Sequence, residues 1–202
     1  ILSNARLLRT GDAVNQVLRN CIVSLDDAEP TAQDILDMLG GDRQFVVVRL
    51  RQVSLGSEVE LELVCNNPDC GGKTYVTVDL DERESKPFPA EREFTVTLPV
   101  SGDTVTFVHF DGHMEKRLHL MAQEEVNVTT VMLMRTKAVN EKPPSKKYFS
   151  SLSLRDRTFL REEMRKVDGG IDTSVETVCR HCGTPIATKL EGNKGFFFPG
   201  LR

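Results

Sequence analysis

Four of the five cysteines stand in two short turns that lie far apart in the sequence. The residues concerned are Cys65 and Cys70, which enclose NNPD, and Cys179 and Cys182, which enclose RH. Four thiolates are a ligand set of structural zinc, which is bound as a tetrahedron with Zn–S distances of about 2.3 Å. A glycine follows each pair, Gly71 and Gly183, and permits the positive φ that lets the turn amides point at the sulfurs. We therefore predict that the four sulfurs bind one structural Zn²⁺ per chain.

Other interpretations of the cysteines remain open at this stage. Two disulfides or two pairs of buried thiols would use the same residues, and a redox-active CxxC would need a thioredoxin-like βαβ setting that the sequence does not show. His181 could replace one sulfur, although four sulfurs suffice and a solvent-facing turn residue is the simpler expectation. Cys21 is left over, and we interpret it as a core thiol. A shell of four sulfurs leaves no open position for a substrate, so the site would be structural.

No arrangement of catalytic residues accompanies the cysteines. His109, His113 and His119 occur near Asp111, but the first lies in an alternating strand pattern and the third in a helical one. Patterns such as GxSxG, HExxH, a Walker loop and GxGxxG are absent. Asp156 and Glu162–Glu163 are expected on a solvated helix face. The sequence thus predicts a protein that is not an enzyme and has no small-molecule substrate.

The elements that must position these residues alternate between helix and strand. Strand patterns occupy 59–64 and 74–80 around the first cysteine turn, 94–99 and 104–110 around Ser101-Gly102-Asp103, and 174–179 and 185–190 around the second cysteine turn. Helix patterns occupy 12–20, 31–39 (from Pro30-Thr31 to Gly40-Gly41), 114–137, in one or two pieces, and 153–167, capped by Ser153. Residues 44–55 fit a strand or a helix, and 138–151, with Pro143-Pro144, are predicted to be a loop.

Charge is segregated along the chain although the net charge is only −4. Residues 21–42 contain six acidic side chains and no basic one, whereas residues 135–166 contain ten basic and four acidic ones. Such segregation suits either a solvated surface or docking to oppositely charged neighbours. The basic stretch could also contact nucleic acid, but the acidic net charge and the absence of tryptophan disfavour this. No apolar run approaches the ~20 residues of a membrane span.

The order of motifs resembles that of the baseplate hub proteins of contractile-tailed (T-even-type) bacteriophages. The motifs are GDRQFVVVRLRQVSLG (41–56), a cysteine turn, VTVDL (76–80), a β-hairpin, helices, SLRDR (153–157), GGID (169–172), CRHCG (179–183) and FFFPG (196–200). The similarity covers about residues 30–202, and residues 1–30 show no clear match. The first cysteine turn is longer than CxxC, and the valine run is more β-like than the helix that the resemblance implies.

The resemblance implies a non-enzymatic structural component of the virion, in the hub region of the tail baseplate, present in the host bacterial cytoplasm during assembly. Its partners would be other tail or baseplate proteins of the hub, tube or wedge. Alternatives are an assembly chaperone that leaves the mature particle and a nucleic-acid-binding zinc-ribbon protein. Three consecutive phenylalanines cannot all face one side of a strand, so we expect one ring to fold back onto the core and the others to contact a partner, with full internal burial of the tail as the alternative. The tail residues are Phe196, Phe197, Phe198 and Pro199.

The predicted fold class is α+β, with a zinc ribbon split between two distant hairpins, a large helical insertion and an additional β-hairpin. Four segments follow from it. They are an N-terminal helical segment (1–57), the first cysteine turn with β-hairpins (58–110), the helical insertion (111–170), and the second cysteine turn with its closing hairpin and aromatic tail (171–202).

Overall fold

The computed structural model describes residues 4–190 and Phe196. Helices and small antiparallel sheets alternate along the chain, so the α+β class is confirmed. The chain forms two compact units, each built from two separate stretches of sequence. The first unit consists of residues 1–43 and 87–170, and the second of residues 44–86 and 171–202.

The bounds of the elements are as follows. The helices are α1 (Ala5–Thr10), α2 (Ala13–Cys21), α3 (Ala32–Asp37), α4 (Gly40–Leu55), α5 (Gly112–Leu120), α6 (Val128–Arg135), α7 (Lys146–Ser151) and α8 (Leu154–Val167), with a 3₁₀ turn at Gln123–Glu125. The strands are β1 (Glu58–Val64), β2 (Lys73–Asp79), β3 (Ser85–Lys86), β4 (Glu93–Thr97), β5 (Thr104–Val108), β6 (Thr136–Val139), β7 (Gly170–Ile171), β8 (Ser174–Val178) and β9 (Pro185–Lys189).

Helix α3 begins where the sequence predicts and ends earlier. Thr31 caps it: its hydroxyl accepts the Asp34 N–H at 3.2 Å, and the Asp34 carboxylate accepts the Thr31 N–H at 2.7 Å. The expectation that Gly40-Gly41 would end this helix is wrong, because both glycines lie in the first turn of α4. Gly41 touches the backbone of Gly169 and Gly170, and only a residue without Cβ allows that approach.

The valine-rich run 44–55 is helical and forms most of α4. Val47, Val48 and Arg51 are buried while Val53 is 82% exposed, which is the one-sided burial of a packed helix. The Arg51 guanidinium donates to the carbonyl of Glu58 at 2.8 Å. Tertiary packing of this face therefore overrides the β preference of three consecutive valines.

A three-stranded antiparallel sheet, in the order β4-β5-β6, supports the core of the first unit. The β4–β5 hairpin turns at Ser101-Gly102-Asp103 as predicted, with Gly102 at φ +72°. Phe107 from β5, Phe149 from α7 and Leu160 from α8 are fully buried in one cluster. Helices α6, α7 and α8 thus contribute to the hydrophobic core that packs against this sheet.

The predicted loop at 138–151 is wrong at both of its ends. Its first residues belong to β6, and its last six form α7. Ser145 caps α7 by accepting the Tyr148 N–H at 3.2 Å, and Phe149 anchors the helix in the core. Pro143-Pro144 confine the irregular backbone to the few residues between these elements. A short helix with one buried aromatic residue carries too little periodicity to be recognised.

The expectation that Asp156 would lie on a solvated helix face is also wrong, because its side chain is 1% exposed. Ser153 caps α8 as predicted by accepting the Asp156 N–H at 3.0 Å. The Asp156 carboxylate does not return to that cap. It accepts the N–H groups of Val100 and Ser101 at 2.8 and 3.2 Å, and so fixes the β4–β5 turn onto α8.

Two buried arginines hold the first unit together. Arg43, 3% exposed, donates to the Ile35 carbonyl and the Asn15 amide oxygen at 2.6 Å each, and to the Glu115 carboxylate at 2.7 Å. These partners lie on α3, α2 and α5, so one guanidinium connects three helices to the start of a fourth. Both a carboxylate and neutral oxygens satisfy the buried charge.

Arg135, at the end of α6, is 5% exposed and also connects several elements through hydrogen bonds. It forms two parallel hydrogen bonds to the Asp168 carboxylate at 2.7 and 2.9 Å and donates to the Val108 carbonyl at 2.9 Å. Its guanidinium also lies 5.9 Å from the centre of the Phe107 ring. The contact joins α6, the end of β5 and the residue that caps α8.

We expect Gly41→Ala to destabilise the protein, although alanine usually favours a helix. A Cβ at this position would lie 2.2 Å from the Gly169 carbonyl oxygen and 2.7 Å from its carbon, and backbone atoms cannot move aside cheaply. The expected loss is about 3 kcal/mol in the free energy of unfolding, measured by urea denaturation. Ser54→Ala, an exposed position of the same helix, is the control and should be neutral. An unchanged or raised stability of Gly41→Ala would contradict the close approach.

Candidate metal centre

Two antiparallel hairpins of the second unit present the cysteine turns. β1 pairs with β2 from Glu58↔Asp79 to Val64↔Lys73, and β8 pairs with β9 from Ser174↔Lys189 to Val178↔Pro185. Each pairing is extended by one backbone bond at the turn, Cys65 N–H to Gly72 O at 2.9 Å and Cys179 N–H to Thr184 O at 2.8 Å. The first cysteine of each turn therefore continues a strand, and the second lies on the returning loop.

The four sulfurs come together. All four Sγ atoms lie within 4.8 Å of one another, with Cys65 and Cys182 separated by 3.6 Å and Cys70 and Cys179 by 3.7 Å. A tetrahedron of sulfurs at about 2.3 Å from a central ion has edges of about 3.8 Å. The cluster therefore has the dimensions of a four-thiolate metal site, and each of these two close pairs joins one turn to the other.

These distances distinguish the site from a disulfide pair. A disulfide needs sulfurs about 2.05 Å apart, and all five cysteines are free thiols. Cys65 and Cys179 are buried, Cys70 is half-buried and Cys182 is exposed. The cluster is thus mostly covered by protein, and Cys182 is its exposed member.

The turns have the backbone geometry that glycine permits. Gly71 has φ +56° and Gly183 φ +73°. A third glycine was not identified from the sequence: a Cβ on Gly72 would lie 2.4 Å from Cδ2 of His181. The doubled glycine after Cys70 is the sequence signal that could have indicated this contact.

The second cysteine turn stabilises the thiolate forms of Cys179 and Cys182. The His181 N–H points at the Cys179 sulfur at 3.4 Å, and this amide, with that of Cys182, lowers the pKa of the Cys179 thiol. The Thr184 hydroxyl lies 3.2 Å from the Cys182 sulfur and, with the Thr184 backbone, lowers the pKa of that thiol to about 6. Thiolates therefore form first on this turn.

The first turn behaves differently. Backbone N–H groups near Cys65 and Cys70 favour their thiolates, but burial and the neighbouring sulfurs outweigh these bonds and raise the pKa of both thiols. Four negative charges in so small a volume repel one another. A cation at the centre of the cluster would offset this repulsion.

Polar contacts between the turns add to the convergence of the sulfurs. The Arg180 N–H donates to the hydroxyl of Thr74, which is 1% exposed, at 3.2 Å, and the Asn67 amide donates to the Thr184 hydroxyl at 3.5 Å. Sequence reasoning missed both threonines. Thr184, directly after Gly183, could have been suspected from its position, whereas Thr74 is indistinguishable from any other strand threonine.

His181 is exposed, with its Nε2 3.3 Å from the Lys73 carbonyl oxygen and its ring against Gly72. It does not belong to the sulfur cluster. Cys21 is exposed at the end of α2, so its interpretation as a core thiol is wrong.

The three other histidines do not assemble into a site. His109 is buried with its ring against Phe88 and Phe94, and burial lowers its pKa. His113 lies 2.9 Å from the Asp37 carboxylate on the exposed surface. Within residues 4–190, the metal-ligand cluster of His, Cys, Asp or Glu side chains is that of the four cysteines.

Of the predicted tail residues, Phe196 is described and is 6% exposed. Its carbonyl accepts a hydrogen bond from the buried Arg51 Nε at 3.0 Å. Phe197, Phe198 and Pro199 lie outside the described residues.

The comparisons with known proteins give one result. A family model described as T4 bacteriophage base plate protein matches residues 5–93. This range begins well before residue 30, includes the first cysteine turn and does not reach the second. The resemblance to T-even-type baseplate proteins is confirmed for this part of the chain, and the match supports a structural role in a phage baseplate. No curated protein and no solved structure gives a significant match.

No helix among the described residues combines the length and the apolar character that a membrane crossing requires.

We expect Cys179→Ser to remove metal binding and to loosen both hairpins, because this sulfur is buried and contacts Cys70 across the two turns. The purified protein should contain about one metal ion per chain, counted by inductively coupled plasma mass spectrometry, and the variant almost none. Cys21→Ser removes a thiol outside the cluster and should retain the ion. Metal retention in Cys179→Ser, or equal loss in both variants, would show that the cluster is not the binding site.

Proposed function

Because residues 5–93 match the T4 bacteriophage base plate family, we propose that the protein is a structural, non-enzymatic component of a contractile-tail baseplate, in its hub region. The family match is the observation that carries this proposal. Its partners are other tail proteins of the hub, tube or wedge. The protein resides in the virion, and in the bacterial cytoplasm while particles assemble.

The metal of the cysteine cluster is proposed to be Zn²⁺, with Cys65, Cys70, Cys179 and Cys182 as ligands. Four thiolates suit a soft or borderline cation, and zinc is redox-inert and tetrahedral without electronic preference. The two hairpins then form a zinc ribbon whose halves come from either side of residues 87–170. Zinc here supplies folding free energy to the second unit, to which Phe196 of the aromatic tail belongs.

The aromatic tail is proposed to reach a neighbouring protein. Phe196 is buried and hydrogen-bonded to Arg51, which supplies a fixed starting point. We assign the partner contact to Phe197, Phe198 and Pro199, because aromatic side chains supply much of the binding energy of protein interfaces.

The decisive experiment is to purify mature particles of the phage that encodes this chain. Mass spectrometry of washed particles should detect the protein at a fixed ratio to other tail proteins. Deleting its gene should leave particles without assembled baseplates in electron micrographs. Baseplates that require the gene but contain no protein would identify an assembly chaperone instead.

A truncation after Phe196 tests the tail. We expect the purified variant to keep its metal and its thermal unfolding midpoint, since the buried residue is retained. In the gene-deleted phage it should fail to restore baseplates, whereas the full chain restores them. Loss of the metal or of folded structure would mean that residues 197–202 belong to the fold, and full restoration would remove them from the interface.

A further inference from the structure

A groove in the first unit combines apolar walls with positive charge. It has a volume of about 560 Å³ and lies beside the start of α6. Met121, Val128 and Leu133 supply apolar surface, and Val128 is 53% exposed. Leu120, next to Met121 in the sequence, is 60% exposed. This groove is called the basic groove below.

Two cations line the basic groove, Lys146 from α7 and Arg157 from α8. Arg157 donates from Nη2 to the Ser150 carbonyl at 2.6 Å, which holds its guanidinium in place, while its buried Nε has no hydrogen-bond partner. Neither cation forms an ion pair with a described acidic residue. The start of α6, at Val128 and Thr129, adds the positive end of a helix dipole. The groove therefore favours a carboxylate-bearing segment that also carries an aliphatic side chain.

Such a segment exists on the same unit. Leu25 and Ala28 close a tight turn through two backbone bonds of 2.8 and 3.0 Å. Asp26 and Asp27 form its tip with φ of +48° and +65°, and Val23 just before it is 88% exposed. The name acidic turn is used here for residues 23–29.

The acidic turn is exposed at its tip. Aspartate adopts the left-handed region more readily than most residues, so this pair can form the tight turn while both side chains stay in solvent. Asp26 and Asp27 are exposed and form no ion pair with a described residue, although Asp26 lines one pocket together with Arg92. Both carboxylates therefore remain accessible to a cation from another protein.

We propose that the acidic turn of one copy of this chain docks in the basic groove of a second copy. The charges are opposite, both surfaces carry exposed aliphatic residues, and both lack partners within the described chain. The two patches are different surfaces, so the contact is heterologous, and each copy retains a free groove and a free turn that can bind further copies. The contact uses only first-unit residues, so it does not depend on the metal or on the baseplate role.

The first test is sedimentation velocity of the metal-loaded full chain at increasing concentration. We expect reversible association in the micromolar range that weakens steeply as salt rises, because rim charges are screened. A protein that remains monomeric at about 100 μM and low salt would overturn the proposal.

Two variants define the surfaces. Asp26→Lys/Asp27→Lys reverses the charge of the acidic turn, and Lys146→Glu reverses the charge of one exposed residue of the basic groove. Each should raise the dissociation constant at least about tenfold. Lys147→Glu, one residue further along α7 and outside the groove, and Glu82→Lys, an exposed residue of the second unit, make single charge reversals elsewhere and should leave it unchanged. If the control variants raise the dissociation constant equally, the association depends on net charge and not on these two surfaces, and the proposal is overturned.

Mixing the two defective variants provides the sharpest result. The turn double variant retains a native groove and the groove variant retains a native turn, so the mixture should form heterodimers although neither protein associates alone. Absence of heterodimers would exclude a turn-in-groove contact. Failure here would leave the particle experiment unaffected, because that experiment concerns the presence of the protein in baseplates and not its self-association.

Discussion

Mutual repulsion of four sulfurs is the constraint on which the second unit depends. The cysteines come from both sides of a long stretch of chain, and they are brought within 4.8 Å of one another. Several local features bring the sulfurs together and stabilise them. The hairpins position the two turns, and the glycine after each cysteine pair adopts positive φ. Turn amides and the Thr184 hydroxyl stabilise negative charge on Cys179 and Cys182. What these groups leave uncompensated is charge that a cation at the centre of the cluster would neutralise.

In the first unit, buried charged side chains bring distant elements together. Arg43 gathers three helices around one guanidinium, and Arg135 joins a helix, a strand end and a cap through a bidentate pair with Asp168. Asp156 does the same with opposite charge by binding a hairpin turn. Because each buried charge is fully hydrogen-bonded, these contacts specify which elements meet, and removing one partner leaves a costly group behind.

Sequence reasoning reached the features that local chemistry encodes. The cysteine turns, their glycines, the hairpin around Gly102 and the Ser153 cap depend on neighbouring residues, and the structure shows each of them. Sequence-based prediction failed where contacts with residues distant in the sequence determine the burial of a side chain or the end of an element. The sequence around Asp156 indicates a surface carboxylate, but in the structure this side chain binds the β4–β5 turn. Helix α7 is too short to show a helical period. Gly41 has the sequence context of a helix stop, but its lack of a side chain allows the backbone of residues 169–170 to pack against it. For residues 44–55, the local preference of the valines favours a strand, whereas tertiary packing of one face makes the segment a helix.

The separation of the two cysteine turns also imposes an order of events during translation. Residues leave the ribosome from the N-terminus, so Cys65 and Cys70 emerge while Cys179 and Cys182 are still more than a hundred codons away. Both stretches of the first unit are synthesised in full before the second hairpin exists, and domains generally fold as units as they emerge. During translation, the part of the second unit that contains Cys65 and Cys70 therefore exists before the hairpin that carries the other two cysteines has been synthesised.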